Sequence, residues 1–196
     1  MRFYRYTLFN TPLITNLFRT GAGLVLKLLG WKISGNLPDA RKFIIIAYPH
    51  TSNWDVPITL AICLMFRLRI HWMGKSTLFR GPMGPVMKWL GGIPIYLHES
   101  RNMVQQTIDA FNNADELIIV IAPEANRAYV EEWKSGFYHI AVGAGLPIVL
   151  GFLDFSRQEG GYLDTFQPTG DIDRDMVRIK SQYLGIKGKY PEQSVY

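Results

Sequence analysis

The residue types best suited to chemistry lie in segment 48–55, Tyr-Pro-His-Thr-Ser-Asn-Trp-Asp. His50 precedes Asp55 by five residues and follows the apolar run 43–47, which predicts a buried strand. In a turn, this spacing lets the carboxylate orient the imidazole and raise its basicity, which produces a general base for a hydroxyl proton. The position also fits, because open α/β sheets hold their sites at the C-terminal ends of strands. The alternative is a capping cluster, in which Ser52 or Asn53 begins the next helix.

Other kinds of catalytic site have little support in the sequence. A Gly-x-Ser-x-Gly elbow is absent, and Cys63 falls inside an apolar helical stretch, so direct attack by a substrate hydroxyl is favoured over a covalent enzyme intermediate. Rossmann and P-loop glycine fingerprints are missing, which argues against hydride transfer and nucleotide hydrolysis. The histidines lack metal-ligand spacing, and we expect no metal site. They are His50, His71, His98 and His139.

A second polar segment follows the apolar run 117–122 and contains Pro123, Glu124 and Arg127. At a strand end, Arg127 can bind a phosphate through two hydrogen bonds, while Glu124 can bind a hydroxyl or anchor the arginine. The alternative is a structural Glu–Arg pair that fixes the loop. A third segment, Gly-Gly-Ile-Pro-Ile at 91–95, is a tight turn that leads into a strand.

The elements that must position these residues alternate along the chain. Apolar β-branched runs predict strands, and amphipathic stretches between them predict helices, so we expect an α/β domain over residues 34–196. Its central sheet should be mixed, largely parallel and flanked by helices. The predicted strands are 43–47, 69–74, 93–97, 117–122, 147–153 and an edge strand at 162–167, and the predicted helices are 56–66, 82–90, 103–113, 136–144 and 173–184.

Residues 1–33 form a separate N-terminal region of amphipathic character. Within it, segment 7–31 predicts one or two short helices in which leucines share a face and basic residues lie elsewhere. Such a segment either lies in a membrane interface or packs on the domain. No apolar run reaches the roughly 20 residues that a membrane-spanning helix needs. We see no secretory signal and expect a cytoplasmic location.

The charge distribution indicates an anionic partner. The chain has 196 residues, 48% of them hydrophobic, which fits one globular domain and excludes a disordered or disulfide-rich class. Residues 1–98 hold 12 Lys and Arg against two Asp, a balance of +10, and the remainder carries −5. A basic half attracts the phosphates of nucleic acid, an anionic bilayer or a phosphorylated substrate, unless it is only a solvated face. No nucleic-acid module appears in the sequence.

The motifs occur in the order and spacing of a known family. Over residues 40–155 the chain resembles the glycerolipid acyltransferases of the lysophosphatidic acid acyltransferase type. The segments that carry the resemblance are His-x4-Asp at 50–55, Gly-Gly-Ile-Pro at 91–94, Pro-Glu-x-x-Arg at 123–127, Trp-Lys-Ser-Gly-Phe at 133–137 and Leu-Pro-Ile-Val at 146–149.

This resemblance implies an O-acyltransferase that needs no metal or organic cofactor. His50 corresponds to the base that deprotonates the acceptor hydroxyl, which then attacks the thioester of acyl-CoA or acyl carrier protein. Asp55 corresponds to the orienting acid, and Glu124 and Arg127 to the groups that bind a lysolipid acceptor. The family's N-terminal helices lie on the membrane, which implies a peripheral enzyme on the anionic inner membrane face and no nucleic-acid partner.

The chain departs from the family pattern around the acceptor. Leu97 stands where an arginine is usual, with Arg101 as a possible replacement, and Ala125 and Asn126 stand where Gly and Thr are usual. An intact His50–Asp55 pair beside an altered acceptor pocket indicates acyl transfer to a changed acceptor. The alternatives are an acyl thioesterase and a non-catalytic lipid-binding module with a decayed site.

Three further assignments complete the prediction. Asn126 and Gly92 belong with the substrate-binding residues, and Lys75 is a candidate for the donor's phosphates. Ordinary packing is preferred to an acyl tunnel for a set of large apolar residues, which are Trp72, Trp89, Met65, Met73, Met83 and Met87.

Overall fold

The computed structural model describes residues 6–11, 13–95 and 100–194, with only the backbone described at 100–102. The helices are α1 (Ile14–Leu28), α2 (Asp55–Met65), α3 (Gly84–Trp89), α4 (Ser100–Asn113), α5 (Gly136–Ala144) and α6 (Ile172–Ser181). The strands are β1 (Lys32–Ser34), β2 (Lys42–Tyr48), β3 (Ile70–Lys75), β4 (Gly92–Ile95), β5 (Leu117–Ile121), β6 (Ile148–Asp154) and β7 (Glu159–Phe166).

The seven strands form one sheet in the order β1-β7-β6-β2-β5-β3-β4. Every neighbouring pair is parallel except β6 and β7, which run antiparallel. Strands β2, β5 and β6 are apolar along almost their whole length because helices cover both faces of the sheet. The predicted fold class, a mixed and largely parallel sheet flanked by helices, is confirmed.

Successive residues of β2 alternate between two apolar layers. Ile44 and Ile46 pack with α4, α5 and α6 on one face, and Phe43 and Ile45 pack with α2 on the other. Helix α1 then covers α2, where Leu26 packs in a cluster with residues of that helix. The site-bearing loop after β2 therefore leaves the middle of a two-sided core, whose packing holds it in place.

Two details differ from the sequence prediction. Strand β7 is not an edge strand, because β1 pairs with it in parallel from Lys32 opposite Glu159 to Ser34 opposite Gly161. No sequence pattern indicates β1, which has only three residues and begins with an exposed lysine. The last two residues of the strand predicted at 93–97 lie outside the described residues.

Helix α1 is amphipathic, as the sequence predicts, and its apolar face is open to solvent. Leu17 is 71% exposed and Leu28 is 76% exposed, while Leu26 on the opposite side is buried. Within residues 6–11, 13–95 and 100–194, no helix combines the length and the hydropathy that crossing a bilayer requires.

The pairing of β1 with β7 depends on Gly161. Its φ is +152°, and an added Cβ would collide with the backbone carbonyl of Ser34. We therefore expect Gly161→Ala to lower the free energy of unfolding by about 2 kcal/mol or more, measured by urea denaturation. Gly145→Ala is the control, because Gly145 is left-handed but has open space around it, and the cost there should be about 1 kcal/mol. Equal losses at both positions would contradict the steric argument.

Candidate functional site

The candidate site begins in the loop between β2 and α2. Strand β2 ends at Tyr48 and α2 begins at Asp55, so His50 and Asp55 stand at the C-terminal edge of the sheet. The N-cap position of α2 is Trp54, and no side chain caps it. Just before the helix, Ser52 Oγ accepts the Trp54 N–H at 3.1 Å, so Ser52 supports the start of α2, and this capping role exists beside the His50–Asp55 pair.

Asp55 is the organising group of this loop. Its Oδ2 lies 3.1 Å from His50 Nδ1 and accepts the backbone N–H groups of Thr51 at 2.8 Å and Ser52 at 2.7 Å. Its Oδ1 accepts the Ser52 hydroxyl at 2.8 Å. The residue is 4% exposed, so these bonds replace the water that burial removes. The carboxylate is thus held rigidly against the imidazole.

The pairing dictates which ring nitrogen of His50 is available for chemistry. An ionised carboxylate can only accept hydrogen bonds, so the His50 Nδ1 atom that faces Asp55 must donate. Among the described residues no donor binds the Nε2 lone pair, and the His50 side chain, which is 20% exposed, lines the main cavity. This arrangement can accept a proton from a hydroxyl group placed in that cavity.

Glu124 approaches the same loop from its neighbour in the sheet. It follows β5, which pairs with β2, and its Oε2 accepts the backbone N–H of His50 at 2.7 Å. Burial raises the pKa of Glu124 to about 8, the bond from His50 opposes that rise, and the charge of Asp55 adds to it. The residue is 2% exposed and is not part of the cavity wall. Its observed contact is with the backbone of His50.

The three residues after Glu124 do line the cavity. Ala125 has a φ of 53°, the left-handed conformation in which the family's usual glycine is unstrained. Asn126 accepts the N–H of Arg127 at 2.9 Å and is exposed. The Nε atom of Arg127 is buried without a hydrogen-bond partner in the described part of the chain. A buried guanidinium donor of this kind is suited to an anionic ligand.

The remaining predicted site residues are distributed as follows. Lys75, at the end of β3, is exposed and lines the cavity. Gly92 does not line it, and an added Cβ there would meet the Met87 carbonyl and the Phe79 ring. Arg101 lies in the first turn of α4, but its side chain is outside the described part, as is Leu97. In the described ranges, no three His, Cys, Asp or Glu side chains are grouped to hold a metal ion.

The cavity has a volume of about 940 Å³ and a mainly apolar wall. From the His50–Asp55 pair it extends along α2 as far as Cys63, eight residues and therefore about 12 Å beyond Asp55. Trp72 and Met73 line this cavity and also pack against the core, so their assignment to packing stays a prediction. The apolar wall also includes Ile45, Val56, Leu60, Ile70, Val120 and Tyr162.

Sequence reasoning missed the contribution of the C-terminal segment, residues 186–194, which we call the C-terminal strap. The backbone N–H of Tyr190 donates to Thr51 Oγ1 at 3.3 Å, and Gly188 packs directly against Thr51. With its amide nitrogen facing the two loops, Gln193 donates to the carbonyls of Arg127 at 2.6 Å and Thr51 at 3.0 Å. The strap thereby joins both site loops. It is short and polar and carries no motif.

Comparisons with known proteins agree with this geometry. A family model described as Acyltransferase matches residues 31–149, which is more than half of the chain. Among solved structures, the chain matches the 1-acyl-sn-glycerophosphate (LPA) acyltransferase PlsC from Thermotoga maritima with a TM-score of 0.60. The match has 20% sequence identity and covers 86% of this chain and 76% of that one, which establishes a shared fold. No curated protein matches the chain.

The burial of Glu124 predicts a specific pH dependence of stability. The Glu124 carboxyl group has a pKa of 4.5 in the unfolded chain and about 8 in the folded protein. The folded state therefore binds more protons than the unfolded state between these two pH values. The free energy of unfolding must therefore fall as the pH rises through this window. We expect Glu124→Gln to reduce that fall, as measured by urea denaturation at a series of pH values. The exposed Glu132→Gln serves as control, and an unchanged slope in Glu124→Gln would contradict the assignment.

Proposed function

The chain belongs to the acyltransferase family, and from this premise we propose that it transfers a fatty acyl group from a thioester donor to a lysolipid hydroxyl. The observation that carries the proposal is the position of the His50–Asp55 pair. An imidazole fixed by Asp55 lines a large apolar cavity. A base beside a space for an aliphatic chain is what acyl transfer to a hydroxyl requires.

In the proposed reaction, His50 Nε2 takes the proton of the acceptor hydroxyl. The hydroxyl oxygen attacks the thioester carbonyl, and the tetrahedral intermediate collapses as the carbon–sulfur bond breaks. The proton held by His50 then passes to the leaving sulfur, which restores the neutral imidazole. Asp55 orients the ring and stabilises its transient positive charge. We assign Glu124 to the positioning of His50, because its carboxyl group binds the backbone of that residue.

The apolar cavity is the proposed site for the acyl chain. Each methylene group removed from water contributes about 0.8 kcal/mol, so a buried chain supplies substantial binding energy. Cavities of this size bury most of the surface of a medium-sized ligand. The same packing would hold the thioester carbonyl within reach of the acceptor oxygen.

We place the phosphate-bearing parts of the substrates at the polar rim of the cavity. Arg127, Lys75 and Lys134 line it, and the unpartnered Nε of Arg127 is available to a phosphate. A lysophosphatidic acid-like acceptor fits this charge and the acceptor in the name of the T. maritima protein. Asn126 replaces the family's usual threonine as a hydrogen-bonding group. The donor is acyl-CoA or acyl carrier protein, and the reaction needs no metal or organic cofactor.

We further propose that the protein acts as a peripheral enzyme on the inner face of the membrane. The support is the exposed apolar face of α1, which includes Leu17, Leu24 and Leu28. A helix of this kind can bury its apolar side at the boundary between headgroups and acyl chains. This position would give the cavity access to lysolipid in the bilayer.

Substitution of the proposed base tests the reaction directly. We expect His50→Ala to lower the rate of acyl transfer by about a hundredfold or more, because general-base catalysis contributes at least that factor. Products from acyl-CoA and lysophosphatidic acid are measured by mass spectrometry, and circular dichroism checks the fold. His139→Ala, an exposed histidine elsewhere on the cavity wall, should retain activity. Near-normal transfer by His50→Ala would remove the assigned base, and His50-dependent release of free fatty acid alone would indicate a thioesterase.

A larger side chain at position 63, in the apolar wall of the cavity, should change the preference for acyl-chain length. Cys63→Leu should fill the space of about two methylene groups and lower kcat/KM for long-chain donors roughly tenfold relative to medium-chain donors. Cys63→Ala leaves that space open and should keep the long-chain preference. The measurement is kcat/KM for a series of acyl-CoA chain lengths. An identical chain profile in all three proteins would place the acyl chain elsewhere.

A further inference from the structure

We propose that Arg19, Arg67 and Arg69 form a binding site for the phosphate group of an anionic membrane phospholipid, separate from the catalytic cavity. The site is a second, polar cavity of about 300 Å³ between the start of α1 and the turn that joins α2 to β3. In the part of the chain that the structure describes, its wall shares no residue with the wall of the main cavity. Among the described residues its wall holds no acid, and three arginines line a space large enough for a phosphate.

Existing contacts hold one arginine in place and leave the others open to solvent. Arg19 donates from Nε to the Leu64 carbonyl at 3.0 Å and from Nη1 to Asn16 at 3.2 Å, which fixes the plane of its guanidinium group. Arg67 is exposed. Arg69 lies 3.9 Å from Glu116, and an exposed pair at that distance contributes little. A phosphate can therefore join this cluster without breaking a strong ion pair.

The left-handed backbone conformation of Arg67 indicates that its side chain has a function other than ending helix α2. Leu68 donates to the Cys63 carbonyl and Arg67 to the Leu64 carbonyl, the hydrogen-bond pattern that commonly ends a helix at a left-handed glycine. Arg67 occupies that position with a φ of 59°. Glycine would be the less strained residue, so the arginine places a positive charge at this point at a cost in folding stability.

The surroundings identify a bilayer as the source of the phosphate. Leu13 lines this second, polar cavity and is 84% exposed. It lies at the start of the exposed apolar face of α1, which continues through Leu17, Leu24 and Leu28. An apolar row for the acyl region beside a cationic pocket for the phosphate matches the two chemistries of a lipid surface. The inference rests on the membrane part of the proposed function and is independent of acyl transfer.

Vesicle sedimentation with the full chain tests this inference. We expect wild-type protein to bind vesicles of phosphatidylcholine and phosphatidylglycerol more tightly than vesicles of phosphatidylcholine alone, with the difference reduced by added salt. Arg67→Gly should weaken binding to the mixed vesicles roughly fivefold, the effect of one cation near an anionic surface. Its melting temperature should not fall, because glycine suits the left-handed backbone.

Matched controls separate this site from general electrostatics. Arg174→Gln removes an exposed arginine from α6, on the opposite face of the sheet, and should leave vesicle affinity unchanged. Equal affinity of Arg67→Gly and wild type, or an equal loss in Arg174→Gln, would overturn the proposal. Stabilisation of wild type but not Arg67→Gly by inorganic phosphate, with equal vesicle affinities, would assign the site to free phosphate and also overturn it. Acyl transfer in detergent micelles should be unchanged in Arg67→Gly, so a failure of the catalytic proposal would be seen separately.

Discussion

The arrangement of the candidate site depends on one buried carboxylate. Asp55 accepts hydrogen bonds from His50, from the backbone N–H groups of Thr51 and Ser52, and from the Ser52 hydroxyl. Without it, the donors of this loop would be buried without partners, each at a cost of roughly 1–3 kcal/mol. The same group orients the imidazole, so the interaction that folds the loop also prepares it for proton transfer.

Other parts of the fold support this loop from two sides. Glu124, after the neighbouring strand β5, binds the His50 backbone, and the C-terminal strap binds Thr51 through Tyr190 and Gln193. Helix α2 begins at Asp55 and forms a wall of the apolar cavity, while α1 covers α2 through Leu26. The helix with the exposed apolar face is therefore one layer away from the proposed acyl-chain site. This proximity connects the proposed membrane surface with the proposed chemistry.

The sequence predicted much of this structure because the decisive signals are local. Apolar runs such as 117–122 identify strands buried on both faces, and the His50–Asp55 spacing within one turn brings the two side chains together. Three-residue β1 carries no such pattern, and its partner β7 lies far along the chain, where Gly161 leaves room for the Ser34 carbonyl. The cavity was missed because its wall is made of ordinary apolar residues such as Trp72, whose role depends on the space left between α2 and the sheet. The contacts of the C-terminal strap are likewise visible only in three dimensions.

The most direct test of the central claim is the tautomer of His50. Nitrogen-15 NMR of the two ring nitrogens, assigned with a His50→Gln variant, distinguishes a proton on Nδ1 from a proton on Nε2 in the neutral ring. The account predicts that neutral His50 carries its proton on Nδ1, facing Asp55, and leaves Nε2 as the proton acceptor. A proton held on Nε2, or a rapidly exchanging mixture of both tautomers, would contradict the claim that Asp55 prepares His50 to act as the base.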